Sequence, residues 1–90
     1  IALGKVTNYF SNLQVGEFKL ESFDLSVGDE VLIVGETTGV IEMRVPEIRV
    51  DLQPVEKVKK GILFSMPVPE KVRRGDKIYK WVETTPDLMQ

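Results

Sequence analysis

Apolar and polar side chains alternate along many short stretches of the chain, and this alternation constrains the fold more than any other feature of the sequence. Residues 15–21 are an example. Phe18 and Leu20 would face a core, whereas the charged side chains around them would face water. A repeat of two residues is the period of a β-strand, and residues typical of turns bound the stretches. The pattern therefore predicts short strands joined by turns.

Two places depart from simple alternation. Pro46 interrupts the pattern of residues 41–50, and because proline cannot donate to a strand ladder, we expect a bend or a sheet edge there. Val55 and Val58 have the spacing of one helical turn, but the segment 54–60 is too short to stand as a helix, so we interpret it as a loop. Further strands are predicted over residues 3–10, 31–34, 62–66 and 77–82.

The length of the chain sets the size of the fold. Ninety residues suffice for one hydrophobic core and are too few for two. Six or seven short strands in so small a domain indicate a sandwich or a barrel, and closure into a barrel removes exposed strand edges. We predict an all-β fold, a small closed barrel of six or seven strands over residues 1–82, followed by a polar C-terminal tail, residues 83–90. Because strand-like sequence begins almost directly after Ile1, we expect a domain excised from a longer protein.

A short motif occurs twice. Gly28-Asp29 and Gly75-Asp76 each have a β-branched residue within the three preceding positions, Val27 or Val72, and precede a charged residue and a strand. Glycine readily adopts a positive φ, and an aspartate can accept hydrogen bonds from the amides that follow it. We interpret both pairs as turns that start strands rather than as phosphate or metal sites, because no acidic cluster or glycine-rich run accompanies them.

The sequence lacks the side chains on which most catalytic sites depend. It contains no histidine and no cysteine, so the commonest general base, the commonest metal ligand and the best nucleophile are missing. The 14 carboxylates are scattered over positions that we interpret as solvated surface. Residues 35–39 lack the lysine of a phosphate-binding loop and are interpreted as a hairpin connection. We therefore predict no catalytic residues, no cofactor and no metal.

Hydropathy gives an expectation about location. No apolar run approaches the length of about 20 residues that crosses a bilayer. The chain also does not open with the basic and then apolar segment of a secretory signal. We expect a cytoplasmic protein that does not contact a membrane.

The charges of the chain are strongly segregated. Residues 1–56 carry four basic and ten acidic side chains, whereas residues 57–80 carry eight basic and two acidic ones. Such a block can form a surface that binds RNA phosphates or an acidic protein, although it can also be a solvated face without a partner. The candidate partner-binding surface comprises Lys57, Lys59, Lys60, Lys71, Arg73, Arg74, Lys77 and Lys80.

The aromatic residues are interpreted mainly as core. Seven are present, and in a small domain large rings usually fill the interior. Trp81, next to Lys80, is the one to be tested as an exposed stacking platform.

Several segments resemble a known β-barrel, the second domain of translation elongation factors. They are residues 27–35, 38–43, 58–61 and 74–80. The resemblance covers nearly the whole chain and implies a barrel architecture, which many proteins with different functions share.

Three segments resemble more closely the C-terminal barrel of the collagenase-like peptidases of family U32. They are residues 4–10, 68–76 and 79–81. The resemblance implies that a larger catalytic domain, similar to a TIM barrel, precedes this barrel and carries the cysteines and the other functional residues. None of those residues matches a position in this chain.

The resemblance implies a non-catalytic accessory barrel that positions or binds a substrate or partner within a larger peptidase, or within a related hydroxylase of RNA. The partner would be the catalytic domain of its own chain, with a protein or peptide substrate as a further candidate. The alternative is a barrel of the translation-factor type that contacts RNA or the ribosome. A structural spacer or dimerisation module is the third hypothesis.

Overall fold

Ten short strands make up the fold in the computed structural model, which describes residues 1–82. The predicted tail, residues 83–90, lies outside the described residues. No helix is present in the described part, so the all-β prediction is confirmed, and none of these residues forms a helix that could span a membrane. The strands are β1 (Ala2–Phe10), β2 (Val15–Leu20), β3 (Asp24–Ser26), β4 (Glu30–Gly35), β5 (Gly39–Arg44), β6 (Ile48–Val50), β7 (Gln53–Val55), β8 (Lys57–Lys59), β9 (Leu63–Pro67) and β10 (Lys77–Lys80).

Eight of the strands form one sheet and the other two form a second sheet. The strand order of the large sheet is β5-β4-β10-β1-β2-β9-β6-β7, and all of its neighbouring pairs are antiparallel. Strands β3 and β8 pair antiparallel in the small sheet. Because β10 lies between β1 and β4, the first and last strands are neighbours near the middle of the large sheet.

The two sheets do not close into a barrel by strand pairing. Among the described residues no ladder joins the outer strands β5 and β7, so the predicted closed barrel of six or seven strands is not confirmed. Backbone hydrogen bonds instead tie both sides of the fold to the segment between β3 and β4. The amide of Gly28 donates to the carbonyl of Val45 after β5 (2.9 Å), and the amide of Val27 donates to the carbonyl of Glu56 after β7 (2.9 Å).

The segment predicted as a loop, residues 54–60, contains strand structure instead. It includes most of β7 and all of β8, because neighbouring strands supply backbone partners that the local sequence does not reveal. The interruption predicted at Pro46, as a bend or a sheet edge, is present, since β5, an outer strand of the large sheet, ends at Arg44 and β6 begins at Ile48. The predicted hairpin connection is also present, with Gly35 paired with Gly39.

A single hydrophobic core joins the two sheets. Phe18 on β2 and Phe64 on β9 are in register and stack with their ring centroids 5.3 Å apart. Burial of side chains of this size stabilises the fold by roughly 1.5–3 kcal/mol each. Sixteen apolar side chains among the described residues are buried, namely Leu3, Val6, Phe18, Leu20, Leu25, Val31, Ile33, Ile41, Val45, Ile48, Val58, Phe64, Met66, Val68, Val72 and Ile78.

Candidate functional site

The structure divides the eight predicted basic residues into groups at opposite ends of β2. At one end, the amide of Gly61, next to Lys60, donates to the carbonyl of Leu20 (2.6 Å). At the other end, the amide of Val68 donates to the carbonyl of Gln14 (3.0 Å), directly before β2. A strand of six residues spans about 17 Å. Lys60 and the segment that follows β9 therefore lie about one strand length apart.

Two of the predicted residues, Lys57 and Lys80, are ion-paired. The ammonium of Lys57 lies 3.4 Å from a carboxylate oxygen of Asp24. The ammonium of Lys80 lies 3.7 Å from Asp24 and 3.3 Å from Asp29. These contacts join the small sheet to β10. The positive charges of Lys57 and Lys80 are therefore compensated by carboxylates of the same domain.

Three further predicted residues lie outside these ion pairs. Lys59 is exposed on β8, opposite Asp24 in the small sheet, and Lys60 is exposed in the turn after β8. Lys77 is exposed on β10 and has Lys5 of β1 as its cross-strand neighbour.

The remaining three, Lys71, Arg73 and Arg74, lie together between β9 and β10, and we call them the basic turn. All three side chains are exposed, whereas Val72 between them is buried in the core. The buried valine fixes the backbone, so that the charged side chains on either side project outward. Among residues 1–82, no carboxylate oxygen lies within 4.0 Å of their charged nitrogens.

The backbone of the basic turn is held by the Gly-Asp motif. The amide of Arg73 donates to a carboxylate oxygen of Asp76 (2.9 Å), and the amide of Asp76 donates to the carbonyl of Arg73 (3.0 Å). Gly75 has a φ of 93°, which a residue with a Cβ adopts only at a cost. The amide of Gly75 also donates to the carbonyl of Val6 on β1 (2.9 Å), which anchors the turn to the large sheet.

The second copy of the motif has the same geometry. The amide of Ser26 donates to the carboxylate of Asp29 (2.9 Å), the amide of Asp29 donates to the carbonyl of Ser26 (3.1 Å), and Gly28 has a φ of 95°. The interpretation of both pairs as turns is confirmed. The prediction of the hydrogen-bond donors was wrong. Each carboxylate accepts from the amide three residues before it and not from the amides that follow.

Asp76 links the basic turn to the β4–β5 hairpin. Its side chain is only 7% exposed and accepts a hydrogen bond from the hydroxyl of Thr38 as well as from Arg73. A Cβ on Gly35 would lie 2.0 Å from a carboxylate oxygen of Asp76, so this position requires glycine. The carboxylate therefore belongs to the framework beneath the basic turn.

The basic turn forms one wall of an open groove. Asn8 and Tyr9, near the end of β1, and Ser11, directly after it, line the rest of the groove, and we call them the polar wall. The side-chain oxygen of Asn8 accepts from the amide of Tyr9 (2.8 Å), which orients the end of the strand. The groove combines three uncompensated cations with a hydroxyl and a half-buried phenol ring, and such a surface attracts anions.

The sequence prediction included the basic wall and missed the polar wall. Residues 8–11 lie at the end of a strand, where polar residues commonly mark a turn, so composition alone does not identify them as part of a site. A β-bulge between Val6 and Asn8 shifts the register of β1 against β2, and the alternating pattern does not reveal it.

The aromatic side chains are distributed between the core and the surface. Phe18 and Phe64 are buried, as the core interpretation predicts. Phe10 and Phe23 are 40% and 59% exposed, so the core interpretation fails for them, and Trp81 is 58% exposed. The indole of Trp81 is thus accessible for stacking on the surface.

The described residues offer binding groups rather than a metal centre. Within residues 1–82, no group of three or more carboxylates is placed to hold a metal ion. The groove supplies cations, a hydroxyl, an amide and a phenol, which can together hold a carboxylate or phosphate of a partner.

Comparisons with known proteins agree with the resemblance. The chain is 54% identical over 81 residues to a collagenase of Porphyromonas gingivalis, a match that covers 90% of the chain and 20% of the relative. It is 37% identical over 84 residues to an uncharacterised protease of Methanocaldococcus jannaschii, which covers 93% of the chain and 20% of the relative. The chain thus spans about a fifth of the length of these relatives. No protein-family model matches it.

A solved structure has the same fold. The C-terminal domain of a U32 peptidase from Geobacillus thermoleovorans superposes with a TM-score of 0.82 at 13% identity, covering 89% of this chain and 91% of that domain. The fold is thus that of a U32 peptidase C-terminal domain. Together with the relatives named collagenase, this structure supports the predicted resemblance to the C-terminal domain of the collagenase-like U32 peptidases.

Proposed function

We propose that this domain is a non-catalytic accessory module of a longer collagenase-like peptidase and that it binds an acidic segment of a protein partner at the basic turn. The observation that carries the proposal is the group of three exposed cations on a fixed backbone, for which residues 1–82 provide no carboxylate within 4.0 Å. The partner is the catalytic domain of the same chain or a peptide substrate of that domain.

The accessory role is supported by the proportions of the relatives. The domain corresponds to about a fifth of proteins named collagenase or protease, so most of each relative lies outside the matched region. The types of side chain in the groove favour binding over bond cleavage, because lysine, arginine, serine and tyrosine are present there without a histidine, a cysteine or a paired carboxylate.

We also propose that the two sheets wrap around the core as a barrel of the elongation-factor type. The single core with side chains from both sheets supports this arrangement. The hydrogen bonds of Val27 and Gly28 to opposite sides of the fold support it further, because they bridge the gap that strand pairing leaves open.

RNA is the second candidate partner. The phenol ring of Tyr9 lines the same groove as Arg73 and Arg74, and single-stranded RNA is commonly bound by a combination of aromatic rings and cations. Both candidate partners are negatively charged, so the binding experiment includes a ligand of each kind.

The test compares two charge reversals of equal size. The double variant Arg73→Glu/Arg74→Glu alters the basic turn, and Lys59→Glu/Lys60→Glu alters the other end of the domain by the same charge. We expect the first to weaken binding of a fluorescent oligoglutamate peptide about tenfold and the second to weaken it less than about twofold, since exposed charge pairs act locally in salt. Fluorescence anisotropy at physiological ionic strength measures both.

Three results would count against this proposal. Equal losses in the two variants would mean that only the overall charge matters, and an absence of saturable peptide binding would remove the site. Tighter binding of oligouridine than of oligoglutamate, lost in the first variant, would replace the acidic protein partner by RNA.

A further inference from the structure

A small open pocket lies on the outer face of β4, away from the basic turn. It is lined by Glu30, Val31, Leu32, Glu42 and Trp81. In the sheet, β4 has β5 on one side and β10 on the other, and Glu42 is the cross-strand neighbour of Leu32. The pocket thus has an apolar base, carboxylates from β4 and β5, and an indole from the residue after β10.

The two carboxylates of the pocket differ in their partners. Glu30 is paired with Arg44, whose Nε and Nη2 atoms each lie 2.8 Å from one carboxylate oxygen. Glu42 is exposed, and among residues 1–82 no cationic nitrogen lies within 4.0 Å of its carboxylate. The pocket therefore has one compensated and one uncompensated negative charge.

The indole of Trp81 is exposed although its backbone is fixed. The amide of Trp81 donates to the carbonyl of Glu30 (2.8 Å), which extends the pairing of β10 with β4 by one residue. The side chain is nevertheless 58% exposed. An aromatic face that lines the same pocket as an unpaired carboxylate is suited to a guanidinium group, which can stack on the ring and donate hydrogen bonds to the oxygens.

We propose that this pocket binds an arginine side chain presented by a protein or peptide partner. The guanidinium stacks on the indole of Trp81 and donates to the carboxylate of Glu42, and the aliphatic part of the side chain contacts Leu32. Arginine fits better than lysine because its planar group satisfies the ring and the carboxylate together. The pocket has the opposite charge preference to the basic turn, so the inference does not depend on the function proposed above.

The chain provides its own reporter for the test, because Trp81 is its single tryptophan. The indole N–H resonance of the 90-residue chain is followed during titration with a capped tripeptide that contains arginine. The same peptide with citrulline, the uncharged isostere of arginine, is the ligand control. We expect the resonance to shift to saturation with the arginine peptide at millimolar concentrations. The citrulline peptide should bind with an affinity at least about fivefold lower.

Matched variants assign the binding to Glu42. Glu42→Gln removes the charge from the pocket, and Glu36→Gln removes a charge from the exposed turn of the same hairpin, outside the pocket. We expect the first to weaken binding of the arginine peptide about threefold or more and the second to leave it unchanged. Equal binding of the citrulline peptide, equal effects of the two variants, or no saturable shift of the indole resonance would each overturn the proposal.

Discussion

Asp76 is the residue on which the geometry of the basic turn depends most. It is a buried carboxylate that accepts hydrogen bonds from the amide of Arg73 and the hydroxyl of Thr38, and its own amide donates back to Arg73. Asp29 makes the corresponding contact in the other copy of the motif but is partly exposed. The aspartate of the motif therefore contributes more to stability at position 76 than at position 29, because Asp76 is buried and Asp29 is partly exposed.

Replacement of these two aspartates should separate their contributions. We expect Asp76→Ala to lower the free energy of unfolding by about 2–3 kcal/mol, because two partly buried hydrogen bonds lose their acceptor. Asp29→Ala should cost about 1 kcal/mol, since water can replace much of what is lost. Urea denaturation followed by circular dichroism measures both values. Equal losses would contradict the structural role assigned to Asp76.

At the scale of elements, the β6–β7 hairpin contains the least favourable backbone. Asp51 and Leu52 form its two-residue loop with φ values of 52° and 68°. Two successive positive φ angles match the hairpin turn that favours Asn-Gly or Asp-Gly. Leu52 is 82% exposed, so its side chain gains little from burial that would offset the left-handed conformation.

Glycine at position 52 should therefore stabilise the domain. We expect Leu52→Gly to raise the free energy of unfolding by about 0.5–1 kcal/mol. The control is Leu13→Gly, at another exposed apolar turn residue whose φ is not positive, and it should lower stability by a similar amount. Thermal unfolding of both variants provides the comparison. A loss of stability in Leu52→Gly would show that the leucine side chain makes a contribution that its exposure hides.

The longer strands could be predicted from the sequence, and most of the shortest could not. β2 and β9 repeat the period of two over five or more residues, and the predicted bounds of β1, β2 and β9 agree with the structure within one residue. β6 continues the alternation of residues 41–50. β3, β7 and β8 also have three residues each, which is too short for an alternating pattern to be distinguished from a turn. Their existence depends on backbone partners elsewhere in the chain.

At the scale of the whole molecule, strand pairing between distant segments determines which residues surround the basic turn. β10 pairs with β1 and β4, which brings the turn before it against the end of β1 and the β4–β5 hairpin. The sequence revealed the three cations of the basic turn and the motif that holds them. It could not reveal that Lys57 and Lys80 are neutralised by Asp24 and Asp29, because residues 24 and 80 are adjacent only in the folded chain.

The central claim is that the domain binds an acidic partner at the basic turn and not through its overall positive block. Backbone amide resonances of the 90-residue chain, followed during titration with oligoglutamate, test this claim most directly. The account predicts saturable shifts confined to residues 8–11 and 71–76, which form the two walls of the groove and the turn beneath it. Shifts centred on residues 57–60, or shifts spread evenly over all lysines and arginines without saturation, would contradict it.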